Sequence, residues 1–158
     1  MPERYSQRPF PQYRHVPGRS PHPIRDPDGH SYDQNEPDLP SLNDHPWQDC
    51  EQYLYGIDLF NAGYWWECHE VIEALWHAAG IGSPAGHVLQ AVIQCAAAHL
   101  KTRTGQLAGG KRLLAHARKH VAWAEGCELG LDLPGMLIDT EEYLEGVSAD
   151  PAYLLLNI

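Results

Sequence analysis

Residues 64–79 of this 158-residue chain, Y-W-W-E-C-H-E-V-I-E-A-L-W-H-A-A, concentrate the side chains able to do chemistry. Wound as a helix at about 100° per residue, the segment puts Trp66, Glu70, Glu73 and His77 on one narrow face, with His69 on its shoulder. Glu73 stands four residues from both His69 and His77, the spacing at which helical side chains meet. Most of what remains on that helix is apolar: Tyr64, Trp65, Cys68, Val71, Ile72, Leu75 and Trp76. Such a helix is expected to be buried on most sides, its polar stripe lining a cleft.

A buried carboxylate must be paired with a cation, coordinated to a metal, or protonated. Three readings follow. Glu70 and Glu73 pair with cations from a later basic segment, Lys101, Arg103 and Arg112; or His69, Glu70 and Glu73 ligate a divalent metal ion; or Glu and His work as acid and base without metal. The motif H-E-V-I-E shares only its first half with the zinc-protease helix H-E-x-x-H, because Glu73 stands where the second His would be. His69 and Glu73 keep the ligand spacing, but no third ligand is in view. The several-helix Glu and Glu-x-x-His set of a di-metal bundle is missing. Downstream, Gln90 and Gln94 stand one turn apart inside an apolar run, so they are expected to meet the carboxylate stripe. His116 and His120 are also four apart, on a Lys- and Arg-rich stretch that reads as a solvated face.

The elements that must position these groups are helical. Ten of the 13 prolines fall in the first 46 residues, which excludes helix and central strand there. Residues 1–45 are therefore expected to form an extended tail, either disordered or docked on the domain through Tyr13, Arg14, Arg19 and Tyr32. Apolar periodicity then predicts helices over 46–61, 64–79, 87–102, 107–125 and 134–144, the first capped by Asn43 or Asp44. No period-2 strand pattern competes. The expected fold is all-α, a small bundle over residues 46–146, with residues 147–158 packing back as a C-terminal tail.

Composition narrows the function classes. Apolar residues make up 43% and charged residues 20%, ordinary for a folded domain. The formal charge of −10 argues against a nucleic-acid partner, which needs a basic footprint. No apolar run approaches the roughly 20 residues that span a bilayer, and prolines break the N-terminus where a signal peptide would carry its apolar core. A cytoplasmic protein without a membrane partner is expected. Residues 47–100 hold six carboxylates and no Lys or Arg, whereas residues 101–119 hold six Lys and Arg and no acid. The two segments are expected to face each other. Cys50, Cys68, Cys95 and Cys127 are too widely spaced for a thiolate zinc site and read as buried free thiols.

The run N-A-G-Y-W-W-E-C-H-E-V-I-E-A-L-W-H-A-A-G, then V-L-Q-A-V-I-Q-C-A-A-A, then G-Q-L-A-G-G-K-R-L-L resembles the domain of unknown function 309 family over residues 57–133. That family shows an aromatic-E-A-H-E-x-x-E-x-x-W helix followed by L-I-Q-x-A-A-A and a G-N turn; here Cys68 replaces the usual Ala and Gln106 the usual Asn. The resemblance implies a small all-helical bacterial or archaeal protein, often labelled a predicted metal-dependent hydrolase. It puts the family's polar signature on Glu67, His69, Glu70, Glu73, Gln90 and Gln94. Two functions stay open. A binding module would hold a small molecule or a protein partner in the cleft lined by Trp66, His77, Gln90, Gln94 and Arg103. A metal-dependent hydrolase would hold its ion on His69 and Glu73 and use Glu67 or Glu70 as the catalytic carboxylate. The missing third ligand and the absence of a nucleophile tip the expectation toward binding.

Overall fold

Regular structure begins where the proline-rich stretch ends. The computed structural model of the chain describes residues 1–34 and 37–158, and within them it is all-α. A short 3-10 turn, Trp47–Asp49, leads into α1 (Glu51–Asn61), α2 (Trp65–Ala79), α3 (Pro84–Arg103), α4 (Leu107–Trp123) and α5 (Leu133–Leu144). Among the described residues the one pairing of extended backbone is the bridge between Leu131 and Leu156.

Two helix starts differ from the periodicity, each for a local reason. The first helix opens at Glu51 rather than Pro46, and neither Asn43 nor Asp44 caps it. Asn43 is engaged elsewhere: its amide donates to Ala79 O at 2.9 Å and its carbonyl accepts from Ala85 N at 3.2 Å. It thereby ties the end of α2 to the start of α3. The third helix opens three residues early, at Pro84, because Ser83 accepts from Gly86 N at 3.0 Å and proline suits a first turn.

Helix α3 is the hub, packed against α2, α4 and α5, while α1 lies on α2. Gly56 marks the α1–α2 approach, since a Cβ there would collide with Ile72 Cδ1. Cys50, Cys68 and Cys95 are buried free thiols as expected, whereas Cys127 is half-buried. Burial pushes the Cys95 thiol up to about 12.

Both chain ends are sewn to the bundle by backbone groups that have no secondary structure of their own to satisfy them. At the C-terminus, Asn61 exchanges two hydrogen bonds with Leu154, at 2.9 and 2.6 Å. Fully buried His99 donates from Nδ1 to Cys95 O at 2.7 Å and accepts Ala152 N at Nε2, 3.1 Å away. At the N-terminus, buried Asp58 accepts from Tyr5 N, Ser6 N and Ser6 Oγ at 2.8, 2.9 and 2.6 Å, and from Arg4 Nε at 3.3 Å. Tyr55 and Tyr64 donate their hydroxyls to Pro9 O and Pro11 O. Arg14 lies over the Tyr64 ring, whereas Arg19 and Tyr32, expected to dock, are exposed.

The charge pairing corrects the expectation from the sequence. Asp58 finds its partners in the N-terminal segment, and Arg118 of the basic segment pairs with Glu141 on α5 at 2.9 Å. Prolines explain the choice. A chain that cannot pair its own N–H groups offers those that remain to buried carboxylates.

Candidate functional site

Helix α2 starts one residue after Tyr64, on a turn whose Gly63 has φ +79°. Arg103, half-buried, donates to Gly63 O at 3.1 Å and lies 4.0 Å over the Trp65 ring, fixing this turn. The first turn of α2 then presents Trp66 and Glu67 to the N-terminal segment. Glu67 is 4% exposed. Its Oε2 accepts His15 N at 2.9 Å and His30 Nε2 at 2.7 Å. Its Oε1 is buried with no hydrogen-bond partner among the described residues. The rings of His15 and His22 stand edge-on to Trp66, at 4.9 and 5.4 Å between centroids.

Burial holds the His15 imidazole below its usual proton affinity; Glu67 pulls the other way, and His22 and His30 add to the lowering. Its Nδ1 meets Ser20 Oγ at 2.8 Å. The His30 side chain, 4% exposed, donates to Glu67 from one nitrogen and faces Ser31 Oγ with the other, at 2.8 Å. Beside these groups lies a cavity of about 380 Å³ between α1, α2 and the N-terminal segment. Tyr55 and Gln52 line it from α1, Trp66, Glu67 and Glu70 from α2, and Arg8 and His30 from the segment. Burial also pushes the Tyr55 phenol above its usual range.

Residues 53–113 match the domain of unknown function DUF309. None of the curated proteins matches the chain. The resemblance read from the sequence therefore holds over α2, α3, most of α1 and the first part of α4. The DUF309 span supplies Tyr55, Trp66, Glu67 and Glu70 to the cavity, whereas Arg8 and His30 come from outside it.

The polar residues that carry the resemblance separate into three groups in space. Glu67 and Glu70 reach the cavity together with Trp66. His69, Glu73 and His77 form a row on the outer side of α2, with Glu73 3.1 Å from His69 and 4.0 Å from His77. Gln90 and Gln94 bond each other along α3 at 3.1 Å. Glu73 engages His69 and His77 of its own helix in place of the expected Arg103, Lys101 or Arg112, and Gln94 bonds Gln90. Helical geometry explains the split: Ala74 and Glu67 lie about 80° and 100° around from Trp66, and Glu73 about 20° the opposite way. The cavity is centred on the Glu70–Ala74 side, so His77, Gln90, Gln94 and Arg103 are not among its walls.

A metal-dependent hydrolase needs about three protein ligands converging from more than one direction. His69 and Glu73 share one helix face, their side chains 30% and 38% exposed, and engage each other. Among the described residues no group of three or more His, Cys, Asp or Glu is arranged to hold a metal ion. The residues do not fit that group. Sequence reasoning missed His15, His22 and His30, which lie in the proline-rich segment where no periodicity assigns a face. The signal that could have found them is compositional: that segment brings four histidines and five arginines to a chain whose next 54 residues carry six acids and no Lys or Arg.

Proposed function

We propose that the protein is a binding module for a small polar molecule, held in the cavity between the α1–α2 pair and the N-terminal segment. The observation that carries this reading is Glu67: a buried carboxylate at the cavity wall whose Oε1 has no donor among the described residues. A buried acceptor without a donor costs about 1–3 kcal/mol, which a ligand N–H or O–H recovers. Glu70 supplies a second carboxylate to the lining, Arg8 a cation held over the Tyr55 ring, and Trp66 flat apolar surface. The volume, about 380 Å³, falls in the range of small-molecule pockets. This composition suits a molecule of amino-acid size that carries a protonated amine and an acceptor group.

On this reading residues 46–146 are the scaffold, residues 1–45 the cover of the site and residues 147–158 a strap held by Asn61 and His99. Among the described residues no helix is long and apolar enough to cross a membrane. Four free cysteines, three of them buried, suit a cytoplasmic setting.

The test is a calorimetric screen with amino acids, aliphatic diamines and guanidines. At least one should bind with a dissociation constant below about 1 mM. Ala74→Phe, which fills the cavity from its α2 wall, should abolish that binding while leaving the helical circular dichroism spectrum unchanged. Undiminished binding by the filled variant, or no binding across the panel, would refute the assignment.

A further inference from the structure

Three residues on the lining of the cavity, Ser31, His30 and Glu67, are joined in a line by two hydrogen bonds. Ser31 Oγ lies 2.8 Å from His30 Nδ1, and His30 Nε2 lies 2.7 Å from Glu67 Oε2. The carboxylate accepts, so Nε2 carries the ring hydrogen and Nδ1 turns its lone pair toward the serine hydroxyl. The Glu67 and His30 side chains are buried, whereas Ser31 is half-buried. The loop that carries the pair is held from several sides. Ser31 N donates to Pro23 O at 2.9 Å, His30 N to Tyr13 Oη at 3.2 Å, and the Tyr13 hydroxyl to Pro21 O at 2.7 Å. A Cβ at Gly29 would collide with His22 O and Pro23 O, so the turn just before His30 admits no side chain. A second histidine–serine contact shows what a purely local one looks like. Ser20 Oγ also lies 2.8 Å from His15 Nδ1, but Glu67 meets His15 only through its backbone N–H, and both residues stand outside the cavity lining.

We infer that Ser31, His30 and Glu67 form a hydrolytic site for small carboxylic esters. Ser31 is the nucleophile, His30 the general base and Glu67 the residue that positions it. The pattern is a nucleophile within hydrogen-bond reach of a base that a third group orients, which is recognised by geometry and not by chain order. Ser31 Oγ attacks the ester carbonyl carbon while its proton passes to His30 Nδ1, and the carbonyl electron pair moves onto oxygen. Arg8, on the same lining, is the cation available to that oxyanion. Collapse breaks the bond to the alcohol, which leaves with the proton from Nδ1, and the acyl group stays on Ser31. Water then attacks the acyl group by the same proton route, releasing the carboxylic acid and restoring the serine hydroxyl. The sum is ester plus water to acid plus alcohol, with no further reactant. The choice of substrate rests on the binding reading: a protonated amine on the acyl part would meet Glu67 Oε1, which lacks a donor among the described residues.

The experiment uses the full-length protein with a serine-directed probe and a pair of esters. A fluorophosphonate, with peptide mapping by mass spectrometry, should leave an adduct on Ser31 and none on Ser20. Alanine methyl ester and methyl propanoate differ only in the amine; acid release at constant pH should be faster from the first. Ser31→Ala should lower that rate by about hundredfold or more while the circular dichroism spectrum is unchanged. Glu67→Gln should slow modification of Ser31 and move the His30 ring hydrogen off Nε2 in the nitrogen-15 spectrum, which a merely structural carboxylate would not do. Absence of a Ser31 adduct, or wild-type hydrolysis in Ser31→Ala, overturns the proposal. If the amine panel still binds when Ser31 is unmodified, the binding reading alone survives. Equal rates on the two esters with Ser31 modified support the nucleophile and remove the amine ligand instead.

Discussion

Replacing Asp58 with alanine should release the first residues of the chain while leaving the helices folded. In the native protein this carboxylate, 2% exposed, gathers Tyr5 N, Ser6 N, Ser6 Oγ and Arg4 Nε. Truncation leaves the two Ser6 donors buried and unpaired, at about 1–3 kcal/mol each. The segment has a cheaper response, which is to lift off and expose those donors to water. The free energy of local opening should therefore fall by at least about 2 kcal/mol, equivalent to about thirtyfold faster amide exchange. Hydrogen–deuterium exchange with residue resolution is the assay, read at the Tyr5 and Ser6 amides. The His15 amide is the internal control, because it is held by Glu67 rather than Asp58. If Tyr5 and Ser6 exchange within about threefold of the wild-type rate, the carboxylate anchor is not what holds the segment and the reasoning fails.

Two further outcomes follow from other buried groups. Stability should fall as pH drops from about 6.5 toward about 4, because burial holds the His99 imidazole at about 4 against 6.5 when unfolded, so the unfolded state takes up a proton first. The contribution of this residue is present in full above pH 6.5 and reaches a loss of about 3 kcal/mol near pH 4; urea unfolding across pH should show it, and His99→Gln should flatten the slope. Glu67→Ala strands His15 N and His30 Nε2 and should cost about 2–4 kcal/mol by urea denaturation, whereas Glu73→Ala, whose His partners are exposed or half-exposed, should cost under about 1 kcal/mol. Equal losses in the two variants would contradict the placement of these carboxylates.

The bundle was legible because its elements declare themselves locally. Apolar residues at helical spacing in 65–79, 107–123 and 133–144 mark three of the five helices to within about two residues at either end, with Gly63, Gly80 and Gly105 as stops. The errors fell where a cap outranks periodicity. Ser83-Pro84 is an N-terminus signature that the glycine-rich run around it disguised as a loop. Asn43 was legible as a cap by type, but its partners, Ala79 O and Ala85 N, lie 36 and 42 residues away, and nothing local announces a long-range clamp.

The site was half legible for a related reason. Helical geometry put Trp66 and Glu70 of α2 together, and both line the cavity. It could not say which flank of that stripe is covered, because the cover is a segment with no period of its own. The stripe looked like the functional face since it was the polar one. Yet a polar face can be polar simply because water meets it, as Glu73 and His77 do at 38% and 57% side-chain exposure. The buried carboxylate, Glu67, sits about 100° from Trp66, among residues that read as apolar wall. Glu67 is buried there because the proline-rich segment brings a backbone N–H and an imidazole to meet it. A lone acid on the apolar side of a helix, in a chain with an unexplained histidine- and arginine-bearing segment, is thus a stronger pointer to a built site than the richer stripe beside it. The acid needs partners that its own helix does not supply, and a solvated stripe does not.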